Sequence, residues 1–260
     1  MNSSNFGEIE NLFKYNNPRW LKYTLRKLGQ GISRYNMIED GDRIVLGISG
    51  GKDSLALALL LSLRRKWLPI DYELRAVQIE WQEFPMTDEQ VSLIKSFFNI
   101  IDVPYVRLTE TMFPGSYKDD FNCYRCARNR KRILFDYMAK EGFSKLALGH
   151  HLDDIVTTTI INMTMRGKLF TMMPIQEFFK GKLHIIRPMC EIRESAIITI
   201  KERLNLPVVK AACPYKDTNL RLSIQPVMEN LFSLDPHARE KIYRSLIEIK
   251  PDYLPYSLKT

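Results

Sequence analysis

Apolar and polar positions along this chain switch repeatedly between two periods. Residues 42–49, Asp-Arg-Ile-Val-Leu-Gly-Ile-Ser, form a short, β-branched and nearly continuous apolar run, which reads as a buried strand. The leucine-rich segment 55–67 that follows Gly50-Gly51-Lys52-Asp53-Ser54 is long enough for a helix. The same alternation then repeats. Strands are predicted at 74–80, 105–109, 145–149 and 184–188. Thr87-Asp88 can cap a helix that carries Val91, Ile94 and Phe98 on one face. A cysteine pair at 123–126 opens a helix that stops at Gly142, and further helices are predicted at 150–165, 191–205 and roughly 224–232 and 236–249. Residues 1–40 have apolar positions at helical spacing, with breaks expected near Pro18 and between Gly29 and Gly31. Residues 110–122 lack periodicity, hold Pro114 and Gly115, and read as a loop.

Strands that alternate with helices predict an α/β fold, a parallel β-sheet with helices on both faces and helical N- and C-terminal extensions. Ligands in such sheets bind at the carboxyl ends of the strands. Three segments rich in chemistry fall there: 49–54, 149–154 and the residues leading into Cys123.

The first is a glycine-rich turn from strand to helix. Such a turn presents backbone N–H groups and the positive end of a helix dipole to an anion. Gly50 and Gly51 permit close backbone approach, Ser49 and Ser54 add hydroxyls, and Lys52 can neutralise phosphate charge. A tight turn that merely packs would not need all of these at once. The kinase-type P-loop, G-x-x-x-x-G-K-[ST], is excluded: counted from Gly47, its second glycine would fall on Lys52, and Lys52 is followed by Asp53 instead of a hydroxyl residue. Asp53 can still bind Mg²⁺ through its carboxylate. In the second segment, Gly149-His150-His151-Leu152-Asp153-Asp154, the aspartates suit the first turn of a helix for dipole reasons alone. Across the same sheet edge from 49–54, Asp154 becomes a candidate Mg²⁺ ligand and Gly149 and His150 candidate nucleotide contacts.

Composition and charge shift the weighting of partners. Hydrophobic residues make up 45% and charged residues 26% of 260 positions, ordinary for a globular chain with a real core. The longest apolar stretch, 55–61, is far too short to span a bilayer, and residues 1–17 have no secretory pattern, so no membrane partner and a cytoplasmic location are expected. The net charge of +8 favours an acidic partner, and Arg125, Arg128, Arg130, Lys131 and Arg132 crowd one short segment. That clustering points to nucleic acid. Four cysteines in such a chain argue for a metal site or a redox pair over a disulfide framework. Cys123-x-x-Cys126 supplies two ligands and Cys213 a third; Cys190 is a candidate fourth, or, since it follows a predicted strand, a buried structural cysteine. Three thiolates could hold an iron–sulfur cluster with one open iron, while a persulfide relay among the same cysteines needs no cluster.

Ser-Gly-Gly-Lys-Asp-Ser at 49–54 resembles the signature of the N-type ATP pyrophosphatases, the PP-loop superfamily, at every fixed position. Cys-x-x-Cys-Ala-Arg-x-Arg-Lys at 123–131, the stretch from Leu146 through Pro174, and Ile186-Arg187-Pro188 narrow the resemblance to the TtcA family of tRNA-cytidine 2-sulfurtransferases, over most of residues 20–232. The resemblance implies residues 41–222 as the PP-loop ATP pyrophosphatase domain, between an N-terminal helical extension (1–40) and a C-terminal helical segment (223–260). It implies ATP and Mg²⁺ at 49–54, with Lys52 and Asp53 catalytic and Asp53 and Asp154 near the metal. It implies a [4Fe-4S] cluster on Cys123, Cys126 and Cys213, also catalytic. It implies tRNA as substrate, thiolated at the cytidine of position 32, and a sulfur donor such as a cysteine desulfurase or free sulfide. A homodimer is compatible with it. The sequence departs from the family where Lys210 replaces the first cysteine of a second pair and Cys213 is followed by Pro214-Tyr215. Cys-Pro-Tyr resembles the related tRNA 2-thiouridine synthetases, yet their N-terminal zinc cysteines have no counterpart in residues 1–122. The alternatives are therefore a 2-thiouridine synthetase or a zinc-stabilised, nucleotide-regulated RNA-binding protein without catalysis.

Overall fold

A computed structural model describes residues 6–15, 17–112, 123–209 and 220–253. The chain divides into two compact units, Met1–His151 with Met173–Thr218, and Leu152–Met172 with Asn219–Thr260.

The first unit holds a six-stranded sheet. Its strands are β1 (Asp42–Ile48), β2 (Tyr72–Trp81), β3 (Tyr105–Glu110), β4 (Lys145–Ala147), β5 (Ile175–Phe178) and β6 (Leu183–Ile186). They lie in the order β3-β2-β1-β4-β6-β5. All neighbours are parallel except the edge strand β5, which is antiparallel to β6. The order runs outward from β1 in both directions, so a crevice opens at the carboxyl ends of β1 and β4, the switch point where such sheets bind ligands.

The helices of this unit are α1 (Gly7–Lys14), α2 (Arg19–Arg34), α3 (Lys52–Arg65), α4 (Asp88–Ile100), α5 (Cys123–Glu141) and α7 (Glu194–Arg203). The parallel α/β arrangement expected from the alternation is present. The leucines of α3 show why it anchors the unit: every residue from Ser54 to Leu63 is buried, a helix apolar on all sides. It contacts β1, β2, α2 and α7. Each fully buried leucine contributes about 1.5–3 kcal/mol. The predicted cap of α4 forms as a reciprocal box: Thr87 Oγ1 accepts from Gln90 N–H at 3.3 Å and Gln90 Oε1 accepts from Thr87 N–H at 3.1 Å. Gly142, at φ +72°, ends α5 as expected.

Two expectations need correction. Gly29 and Gly31 do not break a helix; α2 runs through both. A Cβ at Gly29 would lie 2.4 Å from Arg64 Nη1, and one at Gly31 would lie 3.1 Å from Cys190 Sγ and 3.2 Å from the Pro188 carbonyl oxygen. These glycines buy close packing at a modest propensity cost of about 1 kcal/mol each. The second is β5, which periodicity did not reveal. It pairs with β6 through a turn in which Phe179, Lys180 and Gly181 all have positive φ.

The second unit contains α6 (Leu152–Arg166), α8 (Leu220–Leu234) and α9 (Ala238–Ser245), which contact one another. Among the described residues, no helix is long and apolar enough to cross a membrane.

Candidate functional site

The turn after β1 is held by its own hydroxyls. Ser54 Oγ accepts from Ser49 N–H at 3.2 Å and donates to the Gly51 carbonyl at 3.0 Å, while Ser49 Oγ accepts from Gly51 N–H at 3.3 Å. Gly50 has φ +80°, and its carbonyl accepts from Val209 N–H at 2.9 Å. A side chain there would be strained, and its Cβ would lie 3.1 Å from the Val209 carbonyl oxygen. The loop thereby fixes the N-terminus of α3 at the carboxyl end of β1, and the first N–H groups of a helix there suit an anion.

Lys52, the first residue of α3, pairs with Asp53 (Nζ–Oδ1 3.0 Å) and with Glu194 at the start of α7 (Nζ–Oε1 2.9 Å). Burial alone would lower its pKa. The Glu194 hydrogen bond and the Asp53 carboxylate outweigh burial, so the net shift is upward and the ammonium is retained at neutral pH. Asp53 Oδ1 also lies 3.8 Å from Nε2 of the buried His151. The loop after β4 thus meets the loop after β1 through His151 and through Gly149, whose absent side chain leaves room for the backbone of Asp53 and Ser54.

A cavity of about 510 Å³ opens beside this turn. The sheet side of the cavity runs from β2 through β1 and β4 to β6 and β5, with Ile79, Ser49, Leu148, His150, Arg187 and Gln176 among its lining residues. Tyr124, Ala127, Arg128, Arg130, Lys131 and Leu134 of α5 make the remaining wall. The five clustered cations of α5 have different surroundings. Arg130 lies over the Trp81 ring at 5.1 Å and Lys131 over the Phe178 ring at 5.1 Å. Arg132 pairs with Asp136 at 2.9 Å. Arg125 is half-buried. Arg128 is exposed and has no ion pair among the described residues. Cys123 is exposed and Cys126 half-buried, three residues apart in the first turn of the same helix, so they are neighbours on one side of α5.

A PP-loop domain model matches residues 23–225. The tRNA-cytidine(32) 2-sulfurtransferase of Pelobacter propionicus is 32% identical over 237 residues, covering 87% of this chain and 86% of that one. The enzyme of the same description from Burkholderia multivorans is 31% identical over 245 residues, covering 92% and 73%. The chain belongs to the PP-loop tRNA-cytidine 2-sulfurtransferase family. It is an ATP-using transferase, and the reading as a non-catalytic binding module falls away. Among solved structures, the U34-tRNA thiolase NcsA from Methanococcus maripaludis with its [4Fe-4S] cluster has the same fold, with a TM-score of 0.72 at 24% identity over 89% of this chain and 80% of that one.

Within this family member, residues 49–54, Gly149 and His150 come together at the β1–β4 crevice, and Arg128, Arg130 and Lys131 line the adjoining cavity. Asp154 lies in the first turn of α6, in the second unit; its neighbour Asp153 pairs there with Arg239 of α9 at 2.5 Å. Cys213 lies outside the described residues, and among those described no group of three or more His, Cys, Asp or Glu could hold a metal. The two described thiols suit two corners of a cluster that takes its third ligand from elsewhere. Cys190 is fully buried, as a structural cysteine would be. Sequence reasoning missed Glu194, His151 and Arg187. Glu194 opens a helix, where an acidic residue is unremarkable, and His151 sits beside the histidine that drew attention first.

Proposed function

We propose that this enzyme adenylates the C2 oxygen of a tRNA cytidine at position 32 with ATP and replaces that oxygen by sulfur, giving 2-thiocytidine. The single observation that carries the reading is the match of most of the chain to two tRNA-cytidine(32) 2-sulfurtransferases. The site supports it. The 49–54 loop and the start of α3 hold the β- and γ-phosphates, and Lys52 offsets the charge that develops on departing pyrophosphate. Asp53 would offer its carboxylate to Mg²⁺, an ion that neutralises phosphate charge when bound. Cys123, Cys126 and Cys213 would hold a [4Fe-4S] cluster through their thiolates, and the cluster would supply a carrier for sulfide. The base leaves its stack and enters the cavity beside His150. Its O2 attacks the α-phosphate and pyrophosphate departs. A sulfide nucleophile then adds to C2, the C2–O bond breaks, and AMP leaves.

Nucleosides of bulk tRNA from a deletion strain provide the test. Loss of 2-thiocytidine by mass spectrometry is expected; intact 2-thiocytidine with loss of 2-thiouridine would transfer the assignment to the uridine enzymes.

The α5 cations bind the phosphates of the anticodon stem-loop. The double variant R128A/R132A should lower tRNA affinity and reduce the slope of log affinity against log salt by about 1–2. Arg128 should account for most of this, because Arg132 already pairs with Asp136. An unchanged slope in filter binding would remove α5 from the tRNA interface.

A further inference from the structure

One charge in the cavity wall has no role in that scheme. Arg187 directly follows β6 and is 6% exposed. Its backbone N–H donates to the Pro174 carbonyl at 2.8 Å, and its Nη1 donates to the Met173 carbonyl. Its Nε is buried without a hydrogen-bond partner, and no carboxylate lies within ion-pair distance among the described residues. Burial pushes the guanidinium pKa down to about 10, only partly countered by the Cys190 thiol, and it stays cationic at neutral pH. A buried cation without a counter-charge is costly, and proteins keep such a group where an anion will complete it.

The position restricts which anion that is. β6 lies two strands from β1, and neighbouring strands are about 4.8 Å apart, so Arg187 stands roughly 10 Å along the sheet edge from the phosphate loop. Ser49 of the loop and Arg187 line one cavity. Lys52 at the loop has two carboxylate partners, whereas Arg187 has none among the described residues. The loop suits the phosphates that leave together. The phosphate that stays behind lies further from the loop, toward the nucleoside and the base.

We infer that Arg187 is the receptor for the retained phosphate, holding the α-phosphate of ATP, then that of the adenylated base, and finally AMP. The inference rests on the adenylation reading above. It divides the site into a pyrophosphate subsite at 49–54 and a monophosphate subsite at Arg187. The guanidinium fork suits it to two phosphate oxygens at once, and the water-poor setting strengthens each bond.

The test is calorimetric titration of the anaerobically purified full chain with AMP and, separately, with pyrophosphate, for the wild type, R187Q and R187K. R187Q should weaken AMP binding roughly 10–100-fold and leave pyrophosphate affinity within about twofold. R187K, which keeps the charge but loses the fork, should recover part of the AMP affinity. An equal loss for both ligands with a lowered Tm would show that Arg187 only ties the chain to the Met173 carbonyl, and would overturn the inference. Unchanged AMP affinity in R187Q would also overturn it, as would a wild type that binds neither ligand. A wild type that binds AMP through Arg187 yet thiolates no tRNA would overturn the thiolation reading and leave the monophosphate subsite standing.

Discussion

Alanine at position 149 is expected to lower kcat/KM for ATP by more than about a hundredfold, although it adds one methyl group. A Cβ at Gly149 would lie 2.9 Å from the backbone carbon of Asp53, 2.9 Å from the backbone nitrogen of Ser54 and 3.0 Å from the Asp53 carbonyl oxygen. All three atoms are main chain in the first turn of a helix that is buried from Ser54 to Leu63. No flexible side chain can yield, so either the β4 loop or the phosphate loop must move. A displacement near 1 Å at the phosphate loop is enough to spoil in-line attack. Overpacking of this kind also costs about 1–3 kcal/mol, which lowers Tm by several degrees in a chain of this size. Gly7→Ala is the control: it opens α1, nothing lies within 4 Å of its added Cβ, and the variant should behave as the wild type. Steady-state kinetics with ATP, paired with thermal melts, decide the point. A G149A enzyme with wild-type kcat/KM for ATP would mean that the β4 loop does not set the position of the phosphate loop.

Gly149 also shows where sequence reading works and where it stops. Its place after an apolar run and before an acidic turn marked the segment as a site. Its reason for being glycine depends on a neighbour far away in the chain, and no periodicity reports that. The same division holds elsewhere. The strand–helix alternation placed β1, β2, β3, β4 and β6 near their observed positions because each is a short run rich in β-branched or apolar residues set between helical segments. β5 escaped because an edge strand buried on neither side carries little pattern: Gln176 and Glu177 are exposed. Gly29 and Gly31 predict a helix break because propensity is local, whereas the contacts with Arg64 and Cys190 that require them are not.

The chemistry divides along the same line. The 49–54 motif was legible because one contiguous turn carries its whole function. The ion pair from Lys52 to Glu194 and the approach of His151 to Asp53 join three separate loops, and only the sheet order brings those loops together. Arg187 was visible as part of Ile186-Arg187-Pro188 but not as a buried cation without a carboxylate, because burial and the lack of a partner are properties of the fold.

Replacing Cys123 by serine should abolish tRNA thiolation while ATP binding persists. Cys123 separates chemistry from packing better than its partner does. It is exposed, so the substitution should change stability by no more than about 0.5 kcal/mol. Cys126 is half-buried against the cluster that contains Trp81, Phe135 and Met138, and a loss there would mix a packing defect with a chemical one. ATP binding should survive because the phosphate loop is built from β1 and α3, with no contribution from α5 to its internal hydrogen bonds. Serine keeps the size of the side chain but is a poor iron ligand at neutral pH, since its hydroxyl does not ionise as a thiol does. The wild-type protein, purified anaerobically, should be brown with a broad iron–sulfur absorbance, and C123S should be colourless or nearly so. A C123S enzyme that retains thiolation would exclude this cysteine from both a cluster and a persulfide relay. A colourless wild type that thiolates tRNA and loses activity in C123S would instead establish the persulfide route, with the cysteines as sulfur carriers in their own right.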